Sequence, residues 1–332
     1  NIIFIVSHFG RPQGKVQSKY SLSFICSVLE KELQIEKLHF LNKLDQKSIS
    51  EKIKNMNFGD ICLVENIRFY PEEENINLDF AKKITSFFDV YVNDSFSASH
   101  RNHTSITGFS KYLPAVAGDD LLKEINNINL FLQNKRRPNI AIIGGSKIST
   151  KIGLLNNIIN LFSTVVIGGA MANTFLLSNN YLIGKSLVEK DFIETARNIQ
   201  VKAKELNCEI ILPVDVVCSK KITDKKSITH SNIDNILEDQ IILDIGNKTI
   251  KKICDEIKRS KMLLWNGPLG VFEHKPFDQS TIEIANTIGK YAKKLNIDTL
   301  AGGGDTISAI NQTNTKEGFK YISNAGGAFL EW

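Results

Sequence analysis

The chain lacks the residue patterns that define several large classes of protein. Its five cysteines are scattered and form no Cys-x-x-Cys pair, which argues against a disulfide framework and against a zinc site. No run of five or more Lys and Arg residues occurs, and the net charge is only +5, so nucleic-acid binding is not indicated. The most apolar stretch, 165–177, is too short to span a bilayer, and no basic region precedes the apolar run at the N-terminus. We therefore expect a cytoplasmic protein without a membrane span or a targeting segment.

Two common nucleotide-binding signatures are also absent. Residues 184–186 (Gly-Lys-Ser) resemble the end of a P-loop, but that motif requires glycine at the position of Asn179. No glycine turn completes the dinucleotide fingerprint, because Ile307 stands where a third glycine would have to follow Gly302 and Gly304. The sequence therefore gives no support to a P-loop enzyme or to a nicotinamide-dependent dehydrogenase.

Short apolar runs alternate with amphipathic helical patterns along the whole chain. This alternation predicts an α/β fold built on parallel sheets, and the length of 332 residues favours two domains. We expect an N-terminal lobe at 1–118, a connecting helix at 119–137 and a C-terminal lobe at 138–332. The predicted strands cover 2–7, 37–41, 61–65, 90–93, 139–143, 164–167, 209–212, 262–265, 298–300 and 320–322. Predicted helices cover 21–33, 48–56, 78–88 and 119–133.

Five glycine turns follow predicted strands of the C-terminal lobe. Glycine pairs let backbone N–H groups approach a ligand closely, and a helix that starts at such a turn favours a phosphate group. Because the carboxyl ends of parallel strands meet at one edge of a sheet, these turns predict a nucleotide site. The turns lie at 142–145, 166–169, 265–268, 301–306 and 323–327, and their glycines are Gly144, Gly145, Gly168, Gly169, Gly267, Gly302, Gly303, Gly304, Gly326 and Gly327.

Lys147 and Lys151 follow the first of these turns. Their spacing predicts that both lie on one face of a helix that begins at the turn. Two cations near the positive end of a helix repel each other and the helix dipole unless an anion lies between them. The pair therefore indicates a phosphate site, and the alternative is two solvated lysines in a lysine-rich chain.

Two acidic residues follow later turns of the same lobe. Asp305 comes after three glycines, where a carboxylate would repel a phosphate unless Mg²⁺ bridged the two groups. Asp305 could also cap the helix that follows, and the two roles are compatible. Glu273 follows the turn at 266–272 and could accept hydrogen bonds from ribose hydroxyls, although alone it is no better than a surface Glu.

Arginine is scarce, since only seven of the 41 basic residues are Arg. Against that background each Arg is expected to serve a purpose that Lys cannot serve, such as forked hydrogen bonding. Three of them, Arg11, Arg68 and Arg101, follow predicted strands of the N-terminal lobe, accompanied by His8 and His103. Such residues would form a basic cup for phosphate and carboxylate groups. The alternative for each is an exposed Arg or a helix-capping His.

With these residues in place, the chain resembles the phosphoglycerate kinase family over essentially its whole length. The matching phrases are SHFGRP (7–12), LVENIRFYPEE (63–73), YVNDSFSASHRNH (91–103), LPAVAG (113–118), GGSKISTKI (144–152), GGAMANTFL (168–176), LPVDVV (212–217), LWNGPLGVFE (264–273), AGGGDT (301–306) and GGAFLEW (326–332). The resemblance implies two Rossmann-like parallel-sheet lobes that are joined by a helix and hinge and close for the reaction. It also implies a monomer that transfers the acyl phosphate of 1,3-bisphosphoglycerate to ADP, giving 3-phosphoglycerate and ATP, with Mg²⁺ as cofactor.

The resemblance also implies roles for individual residues. It implies that phosphoglycerate binds to His8, Arg11, Arg68 and Arg101, with His103 nearby. Lys147 resembles the lysine that stabilises the transferred phosphoryl group, and Lys151 the lysine that binds nucleotide phosphate. The implied nucleotide ligands are Asn266, the Gly267-Pro268 turn, Glu273 and Thr306, and the implied Mg²⁺ ligand is Asp305.

The chain departs from the family pattern at both ends. The family begins with a strand and loop whose Asp, Asn and catalytic Arg have no counterpart here, because Asn1 lies after that segment. The family's C-terminal tail also stops short at Trp332. We therefore expect a fragment that is weak or inactive alone. A non-catalytic nucleotide-binding scaffold is the alternative if the N-terminal segment is naturally absent, although Lys147, Lys151 and Asp305 argue against it.

Overall fold

The structure is a computed structural model that describes residues 1–331. The family's C-terminal tail is expected to stop short at Trp332, and that residue lies outside the described residues. The chain divides into two compact units, unit 1 (Asn1–Leu122) and unit 2 (Lys123–Trp332).

Unit 1 contains two small parallel sheets. Its strands are β1 (Ile3–Ile5), β2 (His39–Leu41), β3 (Ile61–Val64), β4 (Tyr91–Asn93) and β5 (Ala115–Ala117), and its helices are α1 (Cys26–Leu33), α2 (Gln46–Lys54), α3 (Pro71–Glu74), α4 (Leu78–Thr85) and α5 (Phe96–Ser99). One sheet has the order β1-β3-β2, and the other pairs β4 with β5. Strand β3 is almost entirely apolar and its last three residues are buried, as expected for a central parallel strand that is covered on both faces. Helix α6 (Asp119–Gln133) spans the division between the units.

Unit 2 is built on a six-stranded parallel sheet with the order β14-β13-β12-β6-β7-β8. These strands are β6 (Asn139–Ile143), β7 (Thr164–Ile167), β8 (Glu209–Ile211), β12 (Met262–Asn266), β13 (Asp298–Gly302) and β14 (Tyr321–Ser323). Its helices are α7 (Ile152–Leu161), α8 (Ala170–Ser178), α9 (Ile193–Glu205), α10 (Asn247–Arg259), α11 (Gln279–Tyr291), α12 (Gly304–Gln312) and α13 (Gly326–Glu331). Strands β6 and β12 are buried along their whole length and pair in register from Asn139 opposite Met262 to Ile143 opposite Asn266.

The predicted α/β class with parallel-sheet lobes is confirmed. Each strand predicted for the large sheet of unit 2 is present, with ends that shift by at most two residues. In unit 1 the first turns of the helix predicted at 21–33 form a 3-10 helix, Leu22–Ile25, and only α1 is α-helical.

A second sheet of unit 2 is absent from the sequence prediction. It consists of β9 (Asp215–Ser219), β10 (Thr229–Asn232) and β11 (Ile241–Ile245) in the antiparallel order β10-β9-β11. Strand β10 has the sequence Thr-His-Ser-Asn, which shows neither apolar alternation nor a β-branched run. Its pairing with β9 determines the strand, because strand preference depends more on the neighbouring chain than on the residues themselves.

A buried carboxylate joins this second sheet to α11. Asp244 on β11 is only 2% exposed and accepts hydrogen bonds from the backbone N–H of Ile245 at 2.9 Å and of Ser280 at 3.1 Å. The Ser280 hydroxyl also donates to it. Burial raises the pKa of Asp244 to about 7, although the bonds from Ser280 act in the opposite direction. The carboxyl group is therefore partly protonated near neutral pH.

We expect Asp244→Asn to flatten the pH dependence of stability. Because the folded-state pKa of Asp244 is raised, its contribution is most favourable below about pH 4 and is lost as the pH rises towards 7. The free energy of unfolding of the wild type, relative to Asp244→Asn, should therefore fall between pH 4.5 and 8, as measured by urea unfolding. Exposed Asp234, replaced in the same way, is the control. Parallel pH curves for the wild type and Asp244→Asn would contradict this assignment.

Candidate functional site

The glycine turns of unit 2 converge at the carboxyl end of the large sheet. A Cβ atom on Gly144, after β6, would lie 1.8 Å from the carbonyl oxygen of Pro268, and one on Gly267 would lie 2.4 Å from the carbonyl oxygen of Gly144. A Cβ atom on Gly169 would lie 2.6 Å from the carbonyl oxygen of Gly145. The turns therefore touch backbone to backbone, which only glycine permits. The predicted convergence of these turns is confirmed for β6, β7 and β12.

Lys151 lies within this group of turns. Its Nζ atom donates hydrogen bonds to the carbonyl oxygen of Gly144 at 2.5 Å and to Oδ1 of Asn266 at 2.7 Å. The Nδ2 atom of Asn266 donates in turn to the carbonyl oxygen of Gly302, after β13, at 2.7 Å. One lysine and one buried asparagine thus connect the ends of three adjacent strands.

The surroundings of Lys151 weaken its positive charge. Burial lowers its pKa to about 8, and the carboxylate of Asp305 acts in the opposite direction. An ammonium group has three N–H donors, and two of them are used by Gly144 and Asn266. The third donor remains for an anion, whose charge would also favour the protonated form.

The prediction that Lys147 and Lys151 lie on one helix face is wrong. Residues 144–151 form a loop, and α7 begins only at Ile152 with Lys151 as its N-cap residue. The reason is a contact distant in sequence, because the carboxylate of Glu189 accepts hydrogen bonds from both the N–H and the hydroxyl of Ser149. These bonds hold Ser149 in the loop, and the side chain of Lys147 is left exposed.

The proposed magnesium and phosphate residues lie at the start of α12. Gly303 is the N-cap residue, so Asp305 is not the cap but lies exposed in the first turn of the helix. Thr306 is fully buried, and its Oγ1 atom accepts a hydrogen bond from the N–H of Gly267 at 2.7 Å. Thr306 therefore helps to hold the 267–268 turn, a role that the sequence analysis missed.

The remaining predicted nucleotide residues lie around the same edge of the sheet. Glu273 is exposed and lines a cavity of about 370 Å³ together with Phe272, Asp278 and Gln312. Gly168 follows β7 and Gly304 begins α12, while Gly326 and Gly327 form the first turn of α13. A larger groove of about 560 Å³ lies between α10 and α11 and contains none of the predicted site residues.

Arg68 is the buried centre of the basic group in unit 1. It is 5% exposed, and its Nη1 atom donates to the carbonyl oxygen of Gly10 at 2.8 Å. Its Nε atom lies 3.6 Å from a carboxylate oxygen of Glu74, and neither Nε nor Nη2 has a hydrogen-bond partner among the described residues. Burial and the charges of Arg101 and Arg11 lower its pKa. Buried donors without acceptors are costly, so this site favours an added anion.

Two histidines belong to the same basic group. Burial and the guanidinium groups of Arg68 and Arg101 lower the pKa of His8 to about 4. His103 lies with Nδ1 3.4 Å from a carboxylate oxygen of buried Glu73, and burial lowers its pKa in spite of that carboxylate. The alternative of isolated surface arginines is therefore wrong for Arg68, since these groups act on one another electrostatically.

The residues that support this group are not among those predicted from the sequence. Asn66 is fully buried, donates through Nδ2 to the carbonyl oxygens of Phe9 and Tyr20, and accepts from the N–H of Arg68. Glu73 accepts from the N–H and the hydroxyl of Ser105. The sequence shows only that these polar residues lie near Arg68. It does not show which groups their side chains bind.

Residues 1–331 contain neither a membrane-spanning helix nor a cluster of metal-ligating side chains. None of the described helices combines the length and apolarity needed to cross a membrane. In the same residues, no group of three or more His, Cys, Asp or Glu side chains could hold a metal ion.

These features define a class of parallel α/β protein whose ligands bind at glycine turns beyond the strand ends. The sequence matches the family described as phosphoglycerate kinase over residues 1–332. It is 42% identical over 330 residues to the phosphoglycerate kinase of Chelativorans sp. (strain BNC1), covering 99% of this chain and 83% of that protein. The phosphoglycerate kinase structure from Coxiella burnetii is similar, with a TM-score of 0.83, 35% identity, and coverage of 99% and 82%. The chain belongs to the phosphoglycerate kinase family.

The other comparisons agree with this conclusion. The phosphoglycerate kinase of Caulobacter vibrioides (strain NA1000 / CB15N) is 41% identical over 330 residues, with 99% of this chain and 83% of that protein covered. With 82–83% of these relatives covered, the comparisons do not support the expectation of a fragment that is weak or inactive.

We expect Arg68→Met to raise the pKa of His8. The Arg68 charge is the largest electrostatic cause of the low pKa of His8 after burial, so its removal should raise that pKa. Added inorganic phosphate should raise the pKa in the wild type, because a nearby anion favours the protonated ring. An NMR titration of the His8 ring measures both effects, with Arg197→Met in unit 2 as the control. An unchanged His8 pKa in Arg68→Met would refute the electrostatic coupling of these residues.

Proposed function

We propose that this protein catalyses the phosphoryl transfer of glycolysis in which 1,3-bisphosphoglycerate and ADP give 3-phosphoglycerate and ATP, reversibly. Its membership of the phosphoglycerate kinase family supports this reaction. The observation that carries the proposal is the Lys151 ammonium group, held between Gly144 and Asn266 where β6 and β12 end. We also propose a monomeric, cytoplasmic enzyme.

The nucleotide is proposed to bind to unit 2. Lys151 offers its third N–H to a nucleotide phosphate, and the glycine turns allow phosphate oxygens to reach backbone N–H groups. Asn266 and the Gly267-Pro268 turn form the floor of this site, and Thr306 fixes the turn. Glu273, which lines the cavity of about 370 Å³, accepts hydrogen bonds from the ribose hydroxyls. Exposed Lys147 is left to neutralise the charge of the transferred phosphoryl group.

Asp305 fits the role of a magnesium ligand. Mg²⁺ usually takes one or two protein carboxylates and completes its coordination with substrate phosphates and water. Asp305 is exposed in the first turn of α12, and its charge acts on Lys151 without forming an ion pair among the described residues. Bound there, Mg²⁺ would neutralise phosphate charge.

The phosphoglycerate is proposed to bind to unit 1. Its phosphate and carboxylate groups are acceptors without donors of their own, which matches the unpaired Nε and Nη2 donors of Arg68. Arg11 and Arg101 add positive charge around the same site. His8, whose pKa is lowered to about 4, is neutral near pH 7 and offers a ring N–H as a donor, and His103 is oriented by Glu73.

The chemistry requires no covalent bond to the protein. Phosphoryl transfer depends on in-line positioning of the two substrates and on neutralisation of the charge on the transferred group. Lys147 and Lys151 supply positive charge for that purpose.

We expect the protein to form ATP from 1,3-bisphosphoglycerate, ADP and Mg²⁺ in a coupled assay. Lys151→Met should lower kcat/KM by about a hundredfold or more, because a charged phosphate ligand is lost. Lys185→Met is the matched control, since Lys185 is exposed on the Gly-Lys-Ser segment at 184–186. A wild-type protein that binds ADP but forms no ATP would overturn the proposal and favour the non-catalytic scaffold.

We expect the affinity for ADP to fall as the pH rises through about 8. The lowered pKa of Lys151 means that its ammonium group loses its proton in this range, so the Kd for ADP should rise about tenfold between pH 7 and pH 9. Lys151→Arg should remove most of this dependence, because a guanidinium group stays protonated. Isothermal titration calorimetry at fixed ionic strength measures the Kd values, with Lys185→Met as the control. The same pH dependence in Lys151→Arg would show that another group is responsible.

A further inference from the structure

The segment at 182–189 contains the Gly-Lys-Ser sequence that is not a P-loop, and it is anchored to the second sheet of unit 2. The N–H of Lys185 donates to the carbonyl oxygen of Gln240 at 2.7 Å, and the Ser186 hydroxyl accepts from the N–H of Ile242 on β11 at 2.8 Å. Gly184 has a positive φ of 55° and packs against the carbonyl oxygen of Gln240, where a Cβ would lie 2.3 Å away. This segment is therefore a fixed support.

Glu189, at the end of this segment, holds the loop that carries the two lysines. Its Oε2 accepts from the N–H of Ser149 at 3.0 Å, and its Oε1 accepts from the Ser149 hydroxyl at 2.5 Å. The backbone N–H of Glu189 donates to Oγ1 of Thr174 on α8 at 3.3 Å. Glu189 thus joins the loop, through its carboxylate, to the 182–189 segment, which its backbone N–H in turn connects to α8.

The charge of Glu189 suits this role at neutral pH. Burial alone would raise its pKa, but the hydrogen bonds from Ser149 and the backbone, together with the charge of Lys147, lower it. An ionised carboxylate accepts two hydrogen bonds at once, which a neutral acid does less well.

The two lysines differ in how far they depend on this anchor. Lys151 is held by its own bonds to Gly144 and Asn266, whichever way the preceding residues lie. Lys147 is exposed, and its side chain has no hydrogen bond or ion pair among the described residues. Its position therefore depends on the backbone of the loop. That backbone is fixed by two neighbouring residues: Ile148, whose side chain is fully buried, and Ser149, which is bonded to Glu189.

We propose that Glu189 is a positioning residue for Lys147, acting through Ser149 on the loop at 144–151. The inference rests on the proposed function, because it concerns the lysine assigned to the transferred phosphoryl group. A misplacement of about 1 Å at a group that acts on the transition state can cost about a hundredfold in rate. Glu189 therefore acts on the rate of transfer rather than on nucleotide binding.

A double-mutant cycle tests this role. Glu189→Ala should lower kcat at least about tenfold with little change in the KM for ADP, because Lys151 keeps its own bonds. Ser149→Ala should have a smaller effect in the same direction, and the double variant should be no slower than Glu189→Ala, since both act through one contact. Glu189→Gln should recover part of the rate, because its amide oxygen can still accept from Ser149. Glu194→Ala, at an exposed position of α9, is the control.

A second measurement reports on the loop without using activity. Trypsin should cleave after Lys147 faster in Glu189→Ala than in the wild type or in Glu194→Ala, as followed by mass spectrometry of the native protein. An active wild type with an unchanged kcat in Glu189→Ala would overturn the inference, as would equal losses in kcat and in nucleotide affinity. Faster cleavage in Glu189→Ala, with a wild type that transfers no phosphoryl group, would leave the anchor intact and refute the proposed function instead. If Glu189→Ala fails to fold, Ser149→Ala carries the same two tests.

Discussion

The candidate nucleotide site depends on one close approach of backbone to backbone at the carboxyl end of the large sheet. Gly144 lies against the Gly267-Pro268 turn so closely that a single Cβ atom would lie 1.8 Å from the Pro268 carbonyl oxygen. Because the two turns touch, the side chain of Lys151 reaches both the carbonyl oxygen of Gly144 in one turn and the side chain of Asn266, which directly precedes the other turn. A side chain at either glycine would separate the strands' ends and leave Lys151 without both partners. The glycines therefore matter here for the space that they leave as well as for their N–H groups.

The parallel sheet of unit 2 could be predicted from the sequence because its strands are short apolar runs followed by glycine. Burial on both faces removes polar residues from such strands, so the run itself marks the strand. The same reasoning could not find β10, whose residues are polar and whose place depends on β9. Local pattern is informative where a strand is covered on both sides, and it fails where the pairing partner supplies most of the stabilisation.

The site residues show a similar division. Cationic residues such as Lys151 and Arg68 could be predicted as site residues from the sequence, because a cation near a strand end has few structural uses. The partners could not be selected, since Ser149 is held by Glu189, 40 residues later in the chain. That distant contact also explains why the lysine pair does not begin a helix: the two hydrogen bonds to Glu189 fix Ser149 in a loop conformation. Spacing alone predicts a shared helix face only if a helix is already present.

In unit 2, burial shifts the pKa of Lys151 and that of Asp244, two groups of opposite charge, and their surroundings differ. Desolvation acts on both in the direction of the neutral form, lowering the pKa of Lys151 to about 8 and raising that of Asp244 to about 7. Asp244 receives donors from Ser280 and Ile245, so the protein itself completes its surroundings. Lys151 lies at the carboxyl end of the sheet and keeps a donor that no described residue accepts. An ammonium group whose charge is weakened in the free protein, and would be restored by a phosphate, gains more from the ligand than an exposed lysine would gain. The incomplete pairing of Lys151 is therefore the physical feature that distinguishes the candidate binding site from the stable core around Asp244.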